Sequence, residues 1–562
     1  MLEKSQLFRL LPEEVLDLVK ARLSEVTIGA GDWLMRKGDA GDALYIVDAG
    51  RLEVVRGEQA GVAPEDDDQL SVLRVLGPGA TVGELALVTG DVRSASVRAS
   101  RDSSLLRLGF DDFRDLIESA PAFAHALTAA LGRQLQVSGG FPEDAPATKT
   151  IAVVPLAEGI NSDAIAQAVL AAFDSGEDVA VLRRDSVEQG DAVAWGRALD
   201  ELEQEHDWVI LVAEHTASDW RRFCVRQADR LICLAPPQRP PAERLMPRLR
   251  GCELVLLGEN HPAAIADAWL DLLRPRARHR VRAGARRNDD LERVARRVTG
   301  RSLGLVLGGG GARGFAHLGV LEAFEENGIA VDRIGGASMG GIVASTFAFG
   351  LNAQQRRQAV KGFFAARVRH RYQLPPRSAL ARPEAALETM HGVFGDQQIE
   401  TLPIDLFIVA ADLIAAEMVV QRRGSIADAA MSTVSIPAIL PPRRANGKLL
   451  VDGGLIRNLP IDVMADMAEG PVVAVEVGGR FEPPPGHDGA PALPAIGETL
   501  MRSVMLGSAA AGSSVVARAD LLLEPEVSGM KMMAFGEIDH GIAIGRAAAE
   551  QRIEEIRALT QR

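Results

Sequence analysis

A chain of 562 residues is long enough for three or four domains of ordinary size. With 47% hydrophobic and 25% charged residues it has the make-up of a folded globular protein, which excludes a wholly disordered or fibrous chain. Its net charge of −14 lacks the basic footprint of a general nucleic-acid binder, and its three cysteines, Cys224, Cys233 and Cys252, have neither zinc-site spacing nor the density of a disulfide scaffold, so reduced thiols are expected.

The opening MLEKSQLFRLLPEEVLDLVK mixes acids with apolar residues, without the basic-then-apolar order of a signal peptide. No window reaches about 18 consecutive apolar residues. The expectation is a cytoplasmic protein with no transmembrane segment, one that touches a membrane only peripherally. From Leu7 to Leu135 an amphipathic helix leads into short alternating segments punctuated by Gly29, Gly31, Gly38, Gly41, Gly50, Gly77 and Gly79. That rhythm predicts a β-roll, closed by helical spacing from Phe110 onward, over residues 1–137. The acidic stretch Glu65 to Asp68 reads as a solvated hairpin loop, and SGGFPEDAPATK, within residues 138–149, as a linker.

From Thr150 the runs IAVVPL, VAVL, WVILVA, RLICLA and CELVLL alternate with helical stretches, which predicts a middle α/β domain with a parallel sheet over residues 150–300. Seven arginines crowd Arg274 to Arg287; they read either as a solvated face or as a basic patch for anionic headgroups. A second α/β unit, residues 301–562, follows. The fold class is therefore α/β multidomain: an N-terminal β-roll with helices, a middle α/β domain and a C-terminal α/β hydrolase with a parallel-rich sheet.

Within the roll, VGELALVTGDVRSASVRA brings a glycine, an acid and an arginine together. A phosphodiester needs positive charge and free amides, which Arg93 and a helix starting at Gly83 offer, while Glu84 can accept from a ribose hydroxyl. The run resembles the phosphate-binding cassette of the cyclic nucleotide-binding domain family. The resemblance implies that Gly83, Glu84 and Ala86 line the sugar-phosphate, that Arg93 pairs with the phosphate and that Ser94 and Ala95 add contacts. The regulatory ligand would be cAMP or cGMP; the competing reading makes Glu84 and Arg93 a structural ion pair. No helix-turn-helix follows the roll, so nucleic acid is not an expected partner. After IAVVP, the loop at Gly159 lacks the G-x-x-x-x-G-K-[ST] signature, which argues against phosphate chemistry in the middle domain.

SLGLVLGGGGARGFAHLGVLEAF is a strand, a glycine loop and a helix. Gly309 to Gly314 formally match a dinucleotide-binding G-x-G-x-x-G with Asp332 as the ribose acid, or the amides of Gly309, Gly310 and Gly311 form an oxyanion hole. The next strand favours the second use: DRIGGASMGG sets Ser338 in a G-x-S-x-G elbow between Gly336 and Gly340. A serine needs a base, and GKLLVDGG presents Asp452 just after an apolar strand. GGGGARG, GASMG and DGG in this order resemble the patatin-like phospholipase family and, with the roll, its neuropathy target esterase subgroup.

The resemblance implies a Ser338–Asp452 dyad without histidine, an oxyanion hole at Gly309, Gly310 and Gly311 with Arg313 ordering that loop and Gly314 grouped with it, no metal and no cofactor required for catalysis. Chain order also allows a Ser338–Asp452–His540 triad. His317 reads as a packed helix residue and Asp412 as the end of a buried strand. The implied reaction is hydrolysis of carboxylic esters of phospholipids or lysophospholipids; the rival is a cyclic-nucleotide sensor whose hydrolase domain serves docking. Phe363, Phe364, Val368, Tyr372 and Leu374, interleaved with Arg367, Arg369, His370 and Arg371, read as a basic amphipathic lid or as a solvated helix.

Overall fold

The computed structural model describes the chain except residues 1–7, 9–10, 57–70, 125–149, 174–175, 188–191, 242–246, 260–261, 369–378, 380–382, 479–492, 494–498, 500–514, 533–534 and 561–562. The linker, the acidic insert and most of the lid stretch fall outside the described residues. Two compact units form: Met1–Ala166 with Asp174–Leu234 and Glu243–Cys252, and Gln167–Phe173 with Ala235–Ala242 and Glu253–Arg562. The residues read as a middle domain are thus shared between the two.

In the first unit, β1 (Ser24–Ile28), β2 (Trp33–Met35), β3 (Ala43–Ala49), β4 (Leu52–Arg56), β5 (Ser71–Leu76), β6 (Thr81–Val82), β7 (Ser96–Ala99) and β8 (Ser103–Gly109) form two antiparallel four-stranded sheets, ordered β1-β8-β3-β6 and β2-β7-β4-β5. The period-2 geometry of β3 explains its wholly apolar start. Ala43, Tyr45 and Val47 face the interior of the roll, whereas Leu44 and Ile46 face the helices Glu13–Lys20 and Phe110–Ser119 through Val19, Phe113 and Leu116. The same unit contains β9 (Thr150–Pro155), β10 (Val179–Leu182), β11 (Trp208–Val212) and most of β12 (Arg230–Ala235), all parallel, with β9 between β11 and β12. Buried ion pairs tie roll to sheet: Arg51 to Asp229 at 2.6 Å and Arg101 to Glu203 at 2.7 Å.

The second unit begins with β13 (Glu253–Leu257) and β14 (Ala277–Val281), which are parallel. Strand alternation divides the arginine-rich segment. Ala277, His279 and Val281 are buried, while Arg278 and Arg280 reach the other way, to the carbonyls of Ile399 and Thr401. Arg282 closes on Asp290 at 2.7 Å, and Arg274, Arg276, Arg286 and Arg287 stay exposed. Arg297 is buried and binds Glu469 at 2.5 Å and Asp405 at 3.0 Å.

The eight-stranded sheet that follows comprises β15 (Gly304–Leu307), β16 (Arg333–Ala337), β17 (Asp405–Asp412), β18 (Glu417–Gln421), β19 (Arg443–Ala445), β20 (Lys448–Asp452), β21 (Val472–Val475) and β22 (Leu521–Leu523). Its order is β19-β20-β17-β16-β15-β21-β22, with β18 also on β17. The core strands β17, β16, β15, β21 and β22 are parallel; β18, β19 and β20 pair antiparallel. Every residue of β15 and β16 is buried, as continuous apolar runs in a sheet covered on both faces must be. The fold is the expected α/β one with a parallel-rich hydrolase sheet. Phe363 is wholly buried in this core rather than on a lid surface.

Candidate functional site

The parallel strands end together, and there the two chemically useful side chains meet. β16 gives way at Ser338 to the helix Met339–Ala348, with Ser338 at φ +52° and ψ −124°, a conformation L residues seldom adopt. The helix sits this close to the sheet because residue 340 is glycine: a Cβ there would lie 2.1 Å from the Leu307 carbonyl oxygen. The Ser338 amide donates to Thr433 Oγ1 at 2.8 Å, and the Thr433 hydroxyl donates to the Val409 carbonyl. Register explains the approach of the acid. Ala337 pairs with Val409 in β17, and the next residue of β17, Ala410, pairs with Asp452 at the end of β20. Ser338 Oγ donates to Asp452 Oδ2 at 2.8 Å, while Asp452 Oδ1 accepts the Gly454 amide at 2.8 Å. Asp452 is buried and Ser338 half-buried, so the hydroxyl is reachable and the acid is held with one oxygen committed.

The glycine loop after β15 passes directly over Ser338. A Cβ on Gly309 would come within 3.0 Å of Ser338 Cβ and 2.6 Å of Asn458 Oδ1. The Gly309 amide donates to the Asn458 carbonyl at 3.1 Å, and the Gly308 amide to Val475 at 3.1 Å. Gly309 was expected among the oxyanion donors, but its N–H is spent; among the described residues the amides of Gly310 and Gly311 are the ones this loop leaves without a protein acceptor. Arg313, at the end of this loop, donates to the carbonyls of Met530 at 2.8 Å and Gly478 at 2.5 Å. Gly314 lies against Met339, and Gly336 beneath the Leu307 carbonyl.

His540 is exposed on the helix Ile538–Glu550, whereas Ser338 binds Asp452 with nothing between them. Burial pushes the His317 imidazolium down to about 4, and its Nε2 donates to the Gly308 carbonyl at 2.8 Å. Asp412 ends β17, its carboxylate accepting the Ile414 amide at 3.0 Å. Asp332 binds Arg296 at the start of β16, the end away from the glycine loop. Asn458 and Thr433 were not singled out in the sequence, although NLP follows DGG closely and Thr433 lies in MSTVSIPAILPP. Burial raises the Glu476 carboxyl above its ordinary value; it accepts the Gly478 amide at 2.5 Å. Among the described residues no group of three or more His, Cys, Asp or Glu could hold a metal.

In the roll, Gly83 (φ +91°) precedes the short helix Glu84–Thr89. Glu84, Ala86 and Arg93 are buried, Ser94 is exposed and Ala95 half-buried. Arg93 donates to Asp42 at 2.8 Å and to the carbonyls of Gly83 at 3.0 Å and Ala43 at 2.9 Å. Of the expected nucleotide-site residues, these contacts bring Arg93 and Gly83 together, and Asp42 pairs with the guanidinium.

A half-buried serine on a positive-φ elbow after β16, an acid ending β20 on the far side of β17 and a glycine loop above them, on a parallel-rich sheet, define a patatin-like α/β hydrolase fold. Residues 305–465 match the patatin-like phospholipase family and residues 25–120 the cyclic nucleotide-binding domain. An NTE family protein of Mycobacterium tuberculosis is 33% identical over 96% of this chain and 94% of its own length. The chain belongs to the NTE family, the relatives of neuropathy target esterase. Patatin-like phospholipase domain-containing protein 7 of Rattus norvegicus is 29% identical over 82% of this chain and 38% of its own. Protein 6 of the same name series in Homo sapiens is 28% identical over 81% and 38%. Among the described residues no helix is long and apolar enough to cross a membrane.

Proposed function

We propose that this protein is a serine esterase that hydrolyses carboxylic ester bonds of phospholipids or lysophospholipids, with Ser338 as nucleophile and Asp452 as base. Family membership and the patatin-like domain support a lipid hydrolase; the 2.8 Å bond between Ser338 Oγ and Asp452 Oδ2 is the observation that supports the dyad. Ser338 Oγ attacks the ester carbonyl carbon while its proton passes to Asp452 Oδ2. Negative charge gathers on the carbonyl oxygen and is met by the amides of Gly310 and Gly311. Collapse expels the alcohol, which takes the proton from Asp452, and leaves an acyl-Ser338. Water then repeats the sequence in reverse and releases the fatty acid. An aspartate in water has a pKa of about 3.9 and is a weak base, so the route depends on fixed donors stabilising the tetrahedral oxyanion.

The cyclic nucleotide-binding domain supports a regulatory ligand, cAMP or cGMP, held by Gly83, Glu84, Ala86, Arg93, Ser94 and Ala95. It acts by preferring one of two states of the chain. The three modules we assign are residues 1–137, 150–300 and 301–562, and the substrate is met at a membrane surface.

Fatty-acid release from lysophosphatidylcholine by wild type, Ser338→Ala and Asp452→Asn tests the esterase: loss in both variants is expected. Equal rates in all three would leave the domain a docking module. Calorimetric titration of wild type and Arg93→Ala with cAMP and cGMP tests the ligand; heat in the wild type alone is expected.

A further inference from the structure

The glycine loop is pinned on both sides of its two open amides. Before them, Gly308 N–H binds Val475 O and Gly309 N–H binds Asn458 O; after them, Ala312 N–H binds Met532 O at 2.8 Å and Arg313 holds Met530 and Gly478. The Gly309–Gly310 and Gly310–Gly311 peptides lie between these anchors. A peptide between two glycines has little steric preference to keep it from turning over, because neither residue has a Cβ to restrict φ. One further contact bears on the first of them: Asn458 Nδ2 donates to the Gly309 carbonyl at 3.0 Å. In a planar trans peptide the C=O and the following N–H point in opposite directions. Fixing Gly309 O therefore fixes where Gly310 N–H points.

We propose that Asn458 is a positioning residue for the oxyanion hole, its side-chain amide locking the Gly309–Gly310 peptide so that Gly310 N–H faces the reacting oxygen. The role rests on the serine-esterase reading above. One residue grips both faces of Gly309, its main-chain carbonyl taking the Gly309 N–H and its side chain giving to the Gly309 C=O. Only the second grip depends on the side chain. Asn458→Asp keeps the shape but cannot donate when ionised. Its carboxylate repels Gly309 O and accepts Gly310 N–H once the peptide turns over, which withdraws the donor. Asn458→Ala merely releases the peptide.

The test uses full-length wild type, Asn458→Asp, Asn458→Ala and Ser338→Ala, with a soluble nitrophenyl ester. Its second probe is an alkyl trifluoromethyl ketone, whose serine adduct carries an oxyanion in the same place. Losing one oxyanion donor costs about 100–1000-fold in kcat, so Asn458→Asp is expected in that range and Asn458→Ala at about 10-fold or more. KM stays within about twofold, and the ketone Ki weakens by the same factor as kcat falls, because the interaction is made only with the tetrahedral species. A general packing defect would not tie Ki to kcat in this way; if Asn458→Asp does not fold, the Asn458→Ala ratios decide. Unchanged kcat and Ki in both variants, or a loss carried by KM with Ki unchanged, overturns the proposal. Should Ser338→Ala be as active as wild type, the esterase reading itself falls. Should Ser338→Ala be inactive and Asn458→Asp run at the wild-type rate, the role of Asn458 alone falls.

Discussion

Replacing Gly340 by alanine puts a methyl group where backbone already stands. The new Cβ would lie 2.1 Å from Leu307 O, 2.5 Å from Leu307 C and 2.8 Å from Gly308 O. Carbon and oxygen rest at about 3.3 Å or more, so the pair must separate by about 1 Å. Leu307 cannot be the partner that yields, because β15 is hydrogen-bonded to β16 on one side and to β21 on the other. The helix Met339–Ala348 retreats instead and takes Ser338 with it. Overpacking of this kind costs about 1–3 kcal/mol. A displacement of about 1 Å lengthens the 2.8 Å bond to Asp452 past hydrogen-bond reach, and such misplacement costs about 100-fold in rate. Gly392 supplies the control: it lies exposed in the helix Glu384–Phe394 with nothing within 4 Å of a built Cβ. Gly392→Ala is expected to stabilise by about 0.5–1 kcal/mol without changing kcat. Denaturant unfolding and nitrophenyl ester turnover on both variants check the pair. A Gly340→Ala protein as stable and as fast as wild type would refute the close approach on which the elbow argument stands.

Three further expectations follow from buried polar groups. Thr433→Val keeps the shape but leaves the Ser338 amide without its acceptor, a loss of about 1–3 kcal/mol seen in unfolding midpoints, with kcat reduced as the elbow loosens. Arg297→Met removes the 2.5 Å partner of buried Glu469, leaving it Arg333 at 4.0 Å, while Asp405 keeps Arg278 and Arg422; the second unit should lose about 3 kcal/mol, and calorimetry that finds no change would refute it. Burial lowers the His317 pKa from 6.5 to about 4, so between those values the unfolded chain binds a proton that the native state refuses. The His317 contribution is complete above pH 6.5 and shrinks by up to about 3 kcal/mol as the pH falls to about 4. His317→Gln should therefore lose stability less steeply than wild type over that range, which urea midpoints at pH 7 and pH 4.5 measure.

What the sequence discloses about this site is what lies within one strand, turn or helix. GASMG states the elbow because strand, serine and small-residue helix are consecutive, and DGG states the acid because Asp452 ends its own strand. The partners of the glycine loop are a different matter. Asn458 and Thr433 reach Gly309 and Ser338 from far along the chain, and no spacing encodes which carbonyl or amide a distant side chain will meet. The loss of Gly309 as a free donor is invisible for the same reason, since its acceptor is a main-chain carbonyl. The arginine-rich segment shows the opposite case. The alternation A-R-H-R-V assigns Arg278 and Arg280 to one side of a strand, opposite the buried Ala277, His279 and Val281. Charge count alone concealed it. Phe363, read from its interleaving with basic residues as part of a lid or a solvated helix, is buried, because helix periodicity fixes a stripe without saying which neighbour covers it.

Asp452 and Asn458 stand six positions apart on one continuous stretch, so the proposed proton acceptor and the grip on the glycine loop travel together. A rigid slip of that stretch against the sheet would misalign both at once and silence turnover outright, rather than leaving a half-competent enzyme. One residue inserted between them would uncouple the two. Transplanting this chemistry onto another scaffold would thus require the stretch whole, spacing included.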